Sequence, residues 1–161
     1  MAAIALATER NVETVAFTSA GDGAWAAPHG TMRFNVPDGI APLALSSRQR
    51  LDDIVKAVGG LPFGGTDCAL PMLYALDRGL AIDTFVVYTD SDTWAGAIHP
   101  SQAIRQYRER TGIAARLIVV GMVSNGFSIA DPSDPGMLDV VGFDTAEPQV
   151  MADFAAGRIG S

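Results

Sequence analysis

The sequence predicts an α/β fold with a doubly wound, mostly parallel sheet flanked by helices. Three observations carry that expectation. The runs Thr84–Thr89 and Ala115–Gly121 are apolar nearly throughout, so they read as strands buried on both faces. From residue 46 onward strand-like and helix-like stretches alternate, which gives parallel strands joined by right-handed crossovers. The first of the two runs ends in carboxylates and hydroxyls, Asp90-Ser91-Asp92, and in open α/β sheets ligands bind outside the carboxyl ends of the strands.

The elements follow in order. Residues 2–9 are rich in alanine and read as the last turns of a helix closed by Asn11. Val12–Thr18 is a strand by its β-branched content. Thr31–Val36 alternates with period two and is expected to hairpin onto it, with loops at 19–30 and 37–42. Ser46-Ser47 opens a helix whose Leu51, Ile54, Val55 and Val58 form one buried stripe, stopped by Gly59-Gly60. Pro71 sits in the first turn of a helix carrying Leu70, Leu73 and Tyr74, and Gly79 ends it. After strand 84–89, Pro100 marks a helix with Ile104 and Tyr107, whose Arg105, Arg108 and Arg110 read as a solvated face. Gly112 stops it. Strand 115–121, a turn-rich loop over 122–136 and a short strand 137–142 follow. Pro148 begins a last helix with Val150, Met151, Phe154 and Ala155 inward.

With 161 residues the chain suits one domain spanning residues 1–161, and no repeat or linker divides it. Hydrophobic residues at 48% and charged residues at 18% argue against disorder. The net charge is −7 and Lys56 is the single lysine, so the basic stripe that a phosphate backbone demands is missing. That balance favours a cation over a nucleic acid as direct ligand. Cys68 is the sole cysteine, which removes any intramolecular disulfide and makes a reducing, cytoplasmic setting the expectation. His29 and His99 are distant in sequence, so Cys68 reads as a structural thiol. No apolar run approaches the ~18–20 residues of a membrane span. The apolar start, Met1–Ala7, lacks the basic flank of a signal peptide.

Three polar clusters are expected at one sheet edge: Ser19 to Asp22, Thr66-Asp67 in a glycine loop, and Asp90-Ser91-Asp92. Hydroxyls and carboxylates make an all-oxygen shell that suits a hard divalent cation, Mg²⁺ or Mn²⁺, completed by water. Soft ligands are missing, which disfavours zinc. The plainer alternative is that acidic strand ends only form turns and helix caps.

Several segments together resemble a known family. They are Gly64-Gly65-Thr66-Asp67-Cys68-Ala69-Leu70-Pro71-Met72, Val86-Val87-Tyr88-Thr89-Asp90, His99-Pro100, the stretch Leu117 to Pro132 with Ser124-Asn125-Gly126-Phe127, and Gly142-Phe143-Asp144-Thr145. They look like the C-terminal von Willebrand factor A domain of the Ro ribonucleoprotein (TROVE) family, over about Val12 to Phe154. The Gly-Gly-Thr-Asp-Cys and Ser-Asn-Gly-Phe segments make the match specific to that family. The resemblance implies a metal-ion-dependent adhesion site, held by an Asp-x-Ser-x-Ser loop, a threonine and an aspartate. Here Thr66 and Asp90 match the last two. It also implies a non-enzymatic, RNA-binding parent protein. Such proteins hold small noncoding RNAs chiefly through a ring of helical repeats that this chain lacks. No Asp-x-Ser-x-Ser occurs in the sequence, so the expectation is a domain truncated at its N-terminus, without the family's first strand. Divalent-cation binding would then be weak or absent. The strands at 12–18 and 84–89 would each lack a neighbour, to be supplied by direct pairing of the two, by a strand from another chain, or by a homodimer.

Two other readings compete. Val86 to Thr93 also resembles the Asp-x-Asp-x-Thr motif of haloacid-dehalogenase-type phosphatases, with Asp90 as nucleophile, Asp92 as general acid/base and Mg²⁺ as cofactor. Alternatively the domain is purely structural and packs on a partner, with Thr66 and Asp90 only capping loops. Trp94 is expected to cover a core edge, His99 to neighbour a helix N-cap, and Asp131 and Asp134 to form turns before Pro132 and Pro135.

Overall fold

In chain order the elements are β1 (Val15–Phe17), β2 (Ile40–Pro42), α1 (Leu51–Gly59), α2 (Leu70–Arg78), β3 (Thr84–Thr89), α3 (Pro100–Thr111), β4 (Arg116–Gly121), β5 (Met137–Val141) and α4 (Glu147–Ala155). They come from a computed structural model that describes residues 11–17, 39–46, 48–59, 66–89, 98–121, 129–142 and 146–159. The strands β3, β4 and β5 form a parallel sheet in that order. Thr84 pairs with Arg116, and Gly121 with Val141.

Both faces of this sheet are covered, which is why its strands show no polar alternation. Phe85, Val87, Leu117, Val119 and Met137 pack against Cys68, Ala69, Met72 and Ala75 before and within α2, and Ala103, Ile104 and Tyr107 of α3. Ile118 and Val120 face the other way, onto Phe154, with Tyr88, Leu138, Val140 and Met151 beside them. Helix α4 therefore covers the β4–β5 half of that second face. On β3 the same face leaves Val86 38% exposed.

β1 and β2 pair antiparallel, Val15 with Pro42 and Phe17 with Ile40. They lie on the flank of α2, where Ile40 meets Leu70 and Tyr74, with Val15, Phe17 and Leu80 around them. Among the described residues β1 and β3 belong to separate sheets, so the expected direct pairing of those two strands is not seen there.

The helix stops follow the sequence closely. Gly79 and Gly112 take left-handed C-cap conformations, φ 63° and 71°, after α2 and α3. Four expectations need correction. The partner of β1 is Ile40–Pro42, in a stretch read as loop because of Gly39 and Pro42; Pro42 is tolerated because it lies at the end of a short strand. The expected strand 31–36 and helix 2–9 lie outside the described residues. Ser46 does not open α1: it closes a separate turn, accepting from the amides of Arg48 and Gln49, and α1 begins at Leu51. Within the stripe expected on α1, Val55 is 60% exposed, and no described residue of α1 joins a core cluster. On α4, Val150 is exposed because only Phe154 and Met151 reach the sheet.

Candidate functional site

The site is built at the carboxyl end of β3, where the turn leading into α2 meets it. Thr66 is half-buried at the start of that turn. The next residue, Asp67, is buried at 4% exposure. Its Oδ1 accepts the Ala69 amide at 3.0 Å, and its carbonyl accepts the Leu70 amide at 3.2 Å. This Asx-type turn feeds the first turn of α2, where Pro71 needs no amide partner. Burial raises the Asp67 carboxyl above its ordinary pKa, and the Ala69 amide opposes that shift in part.

Cys68 is 2% exposed. Burial pushes its thiol up to about 11, a hydrogen bond with the Thr89 side chain pulls the other way, and the charge of Asp67 adds to the rise. A thiol so placed stays protonated near neutral pH, which fits the structural role expected of it. Thr89 is itself buried and is the last residue of β3. It points to the same face as Phe85 and Val87, by strand alternation. The Thr66 turn is thereby stitched to the end of β3, one residue before Asp90.

Of the expected clusters, Thr66 and Asp67 are in place at the carboxyl end of the sheet. Asp90, Ser91 and Asp92, the Ser19 to Asp22 segment, Trp94 and His29 lie outside the described residues. His99 is itself the N-cap of α3, not merely its neighbour. Its Nδ1 accepts the Ser101 amide at 3.2 Å and contacts Ser101 Oγ at 2.8 Å, while its own amide donates to Gln102 Oε1 at 3.3 Å. Asp131 and Asp134 make the expected turns, accepting the Ser133 and Gly136 amides. Each also pairs with an arginine of α3, Arg105 and Arg108 respectively. Arg108 therefore leaves the solvated face assigned to it.

Two residues went unmarked by the sequence reading. Thr89 was read only as part of the strand, although a hydroxyl at an inward position next to an acid cluster was a usable signal. Glu147 is buried, and its Oε2 has no hydrogen-bond partner among the described residues. Its position one residue before Pro148 marks it as first-turn chemistry but gives no hint of burial.

Among the described residues no three His, Cys, Asp or Glu side chains are grouped so as to hold a metal. The donor chemistry at Thr66 is nonetheless that of a hard cation. Mg²⁺ takes hydroxyl and carboxylate oxygens together with several waters, so the Thr66 hydroxyl is a donor of the kind it accepts, whereas zinc favours softer ligands.

A parallel sheet with helices on both faces, and a Thr66-Asp67 turn leading into α2, is the architecture of a von Willebrand factor A-type domain. The Ro60 von Willebrand factor A domain family matches residues 1–155, and the chain belongs to that family. It is 51% identical over 118 residues to the RNA-binding protein RO60 of Deinococcus radiodurans, an alignment covering 73% of this chain and 22% of that protein. It is 47% identical over 123 residues to the RNA-binding protein RO60 of Caenorhabditis elegans, covering 76% of this chain and 19% of that protein. The crystal structure of the Deinococcus radiodurans RO (RSR) protein superposes with a TM-score of 0.79 at 43% identity, over 98% of this chain and 28% of that one. The chain thus spans about a fifth of the length of the curated relatives it matches. These matches leave the phosphatase reading of Asp90 and Asp92 without support.

Proposed function

We propose that this domain is a ligand- or partner-binding module of a Ro-type RNA-binding protein, without catalytic chemistry of its own. The observation that carries the reading is the family match over residues 1–155, joined to relatives named as RNA-binding. RNA contact would be made elsewhere in the parent protein, because a chain of net charge −7 with one lysine is a poor partner for phosphate. Thr66 and Asp90 supply an incomplete divalent-cation site, with the rest of the shell taken from water or from a bound partner. In the same reading, the β3 edge and Val86 are covered by a strand from another chain or by a second copy. The cation, when bound, supplies a point of positive charge at the sheet edge for an oxygen-bearing ligand.

A thermal melt with and without millimolar Mn²⁺ or Mg²⁺ tests the reading, with Thr66→Ala as the control. Linkage gives a stabilisation of about 2.7 kcal/mol at a hundredfold excess over Kd. The expected outcome is a rise that Thr66→Ala removes. A melt blind to metal in both proteins would leave a purely structural, partner-packing domain. Sedimentation of the same sample reports whether a second copy is present.

A further inference from the structure

The last helix is held to the sheet unevenly. Helix α4 runs back across the second face, from Gly142 at the carboxyl end of β5 to Arg116 at the amino end of β4. At that far end the hold is firm. Phe154 is 2% exposed, Arg116 donates to the Ala155 carbonyl at 3.2 Å, and the Ala156 amide donates to the Ala152 carbonyl at 3.0 Å. At the near end it is poor. Ala146, at the N-cap, has no side-chain oxygen to offer the first-turn amides. Val150 is 40% exposed. Glu147 is 7% exposed and folds back over the strand end, where a Cβ on Gly142 would lie 3.6 Å from its Oε1. Its Oε2 is enclosed without a hydrogen-bond donor among the described residues, and none of the described ion pairs includes it. Withdrawing a carboxylate from water without a partner is unfavourable, and the dipole of the helix offsets only part of that.

We propose that the first turn of α4, from Glu147 to Val150, is a strap that unwinds and lifts from the sheet while the second half of the helix stays docked. Lifting returns the Glu147 carboxylate to water. That gain offsets the two hydrogen bonds it breaks, from the Gln149 and Val150 amides to the Ala146 carbonyl, each 3.2 Å long. Met151 and Phe154 mark the hinge, because they are the residues of α4 that pack with Ile118 and Val120. In the lifted state the carboxyl end of the second face, at the paired Val120 and Val140, opens to solvent. Local openings of this kind belong to segments with few buried apolar contacts, and the strap is such a segment.

Amide hydrogen exchange on the full chain, read residue by residue by nuclear magnetic resonance, tests this. In the wild-type chain the Gln149 and Val150 amides are expected to be about tenfold less protected than the Ala156 amide, whose bond lies in the anchored half. Glu147→Met keeps the length of the side chain and removes the stranded charge. It is expected to raise the protection of Gln149 and Val150 by about tenfold and to leave Ala156 unchanged. Equal protection at the two ends of wild-type α4 would overturn the proposal, and that comparison needs no variant. A gain in Glu147→Met shared equally by Ala156 would overturn it too, since the carboxylate would then weigh on the whole fold and not on a movable turn. Unchanged or faster exchange at Val150 in Glu147→Met would do the same, by showing that the carboxylate does not drive the opening.

Discussion

Arg108 shows how much of the structure can depend on a single side chain. Its Nε donates to the Ala115 carbonyl at 2.7 Å, its Nη1 to Asp134 at 2.6 Å and its Nη2 to the Gly136 carbonyl at 3.3 Å. The guanidinium thus joins the end of α3 to the start of β4 and to the turn that launches β5. Gly136 leaves room for this guanidinium, since a Cβ there would lie 2.4 Å from Nη2 and the arginine would have to shift. Arg108→Ala leaves Asp134 without its cation and the Ala115 carbonyl without its guanidinium donor, while the Gly136 carbonyl keeps the Leu117 amide, and is expected to cost about 2 kcal/mol. Gly136→Ala forces the guanidinium aside and is expected to cost about 1 kcal/mol through the lost carbonyl contact. Because both changes act on one contact, the double variant should be less destabilised than the sum, read by urea denaturation in a double-mutant cycle.

At the scale of elements, α3 fixes where β3 begins. Tyr107 crosses from the helix to the segment before the strand, donating its hydroxyl to the Leu80 carbonyl at 2.6 Å and accepting the Ile82 amide at 2.7 Å. Its ring meets Phe85 edge-on at 5.0 Å and 87°. The strand therefore leaves α2 along a path set by one buried phenol. Tyr107→Phe keeps the packing and orphans two backbone groups, so the expected loss is about 2 kcal/mol, seen as a lower urea midpoint. Amide exchange at Ile82 should quicken more than exchange within α4, because the broken contact is local to that segment. At the same end of the sheet, on its other face, Arg116, the first residue of β4, lies 5.9 Å from the Phe154 ring centre and donates to the Ala155 carbonyl at 3.2 Å. That contact places the end of α4 against the sheet.

For the whole molecule, acid is the condition that reveals its surface electrostatics. Asp131 is held below its ordinary pKa, first by the Ser133 hydroxyl and amide and then by Arg105. Asp153 is held down by Gln149 and Arg158. A carboxyl with a depressed folded value takes up its proton at lower pH than it does in the unfolded chain. The stabilisation it brings is complete above the unfolded value, near 3.9, and is lost as pH falls through the folded value. Melts recorded from about pH 5 down to about pH 2 should therefore lose stability more gradually in a double Asp131→Asn, Asp153→Asn variant than in the parent. Near neutral pH these exposed pairs should matter little.

The sequence alone determined the parallel sheet, the burial of β4 on both faces, the helix stops at Gly79 and Gly112 and the family, because those features are written in local pattern, whereas β3, read the same way, leaves Val86 exposed on one face. A strand needs only its apolar run, and a left-handed cap needs only its glycine. Tertiary structure decided what depends on partners distant in the chain. Among the described residues β1 pairs with a segment of proline and glycine whose strand character comes from pairing. Val55 faces solvent although its spacing matches a buried stripe, because amphipathic period does not say whether a neighbour exists to cover it. Arg108 is a structural staple within a charge run that reads as solvated, and Cys68 meets Thr89 across twenty-one positions of sequence. Each of these follows from which surfaces meet, and that is set by the packing of the whole chain and not by any stretch of it.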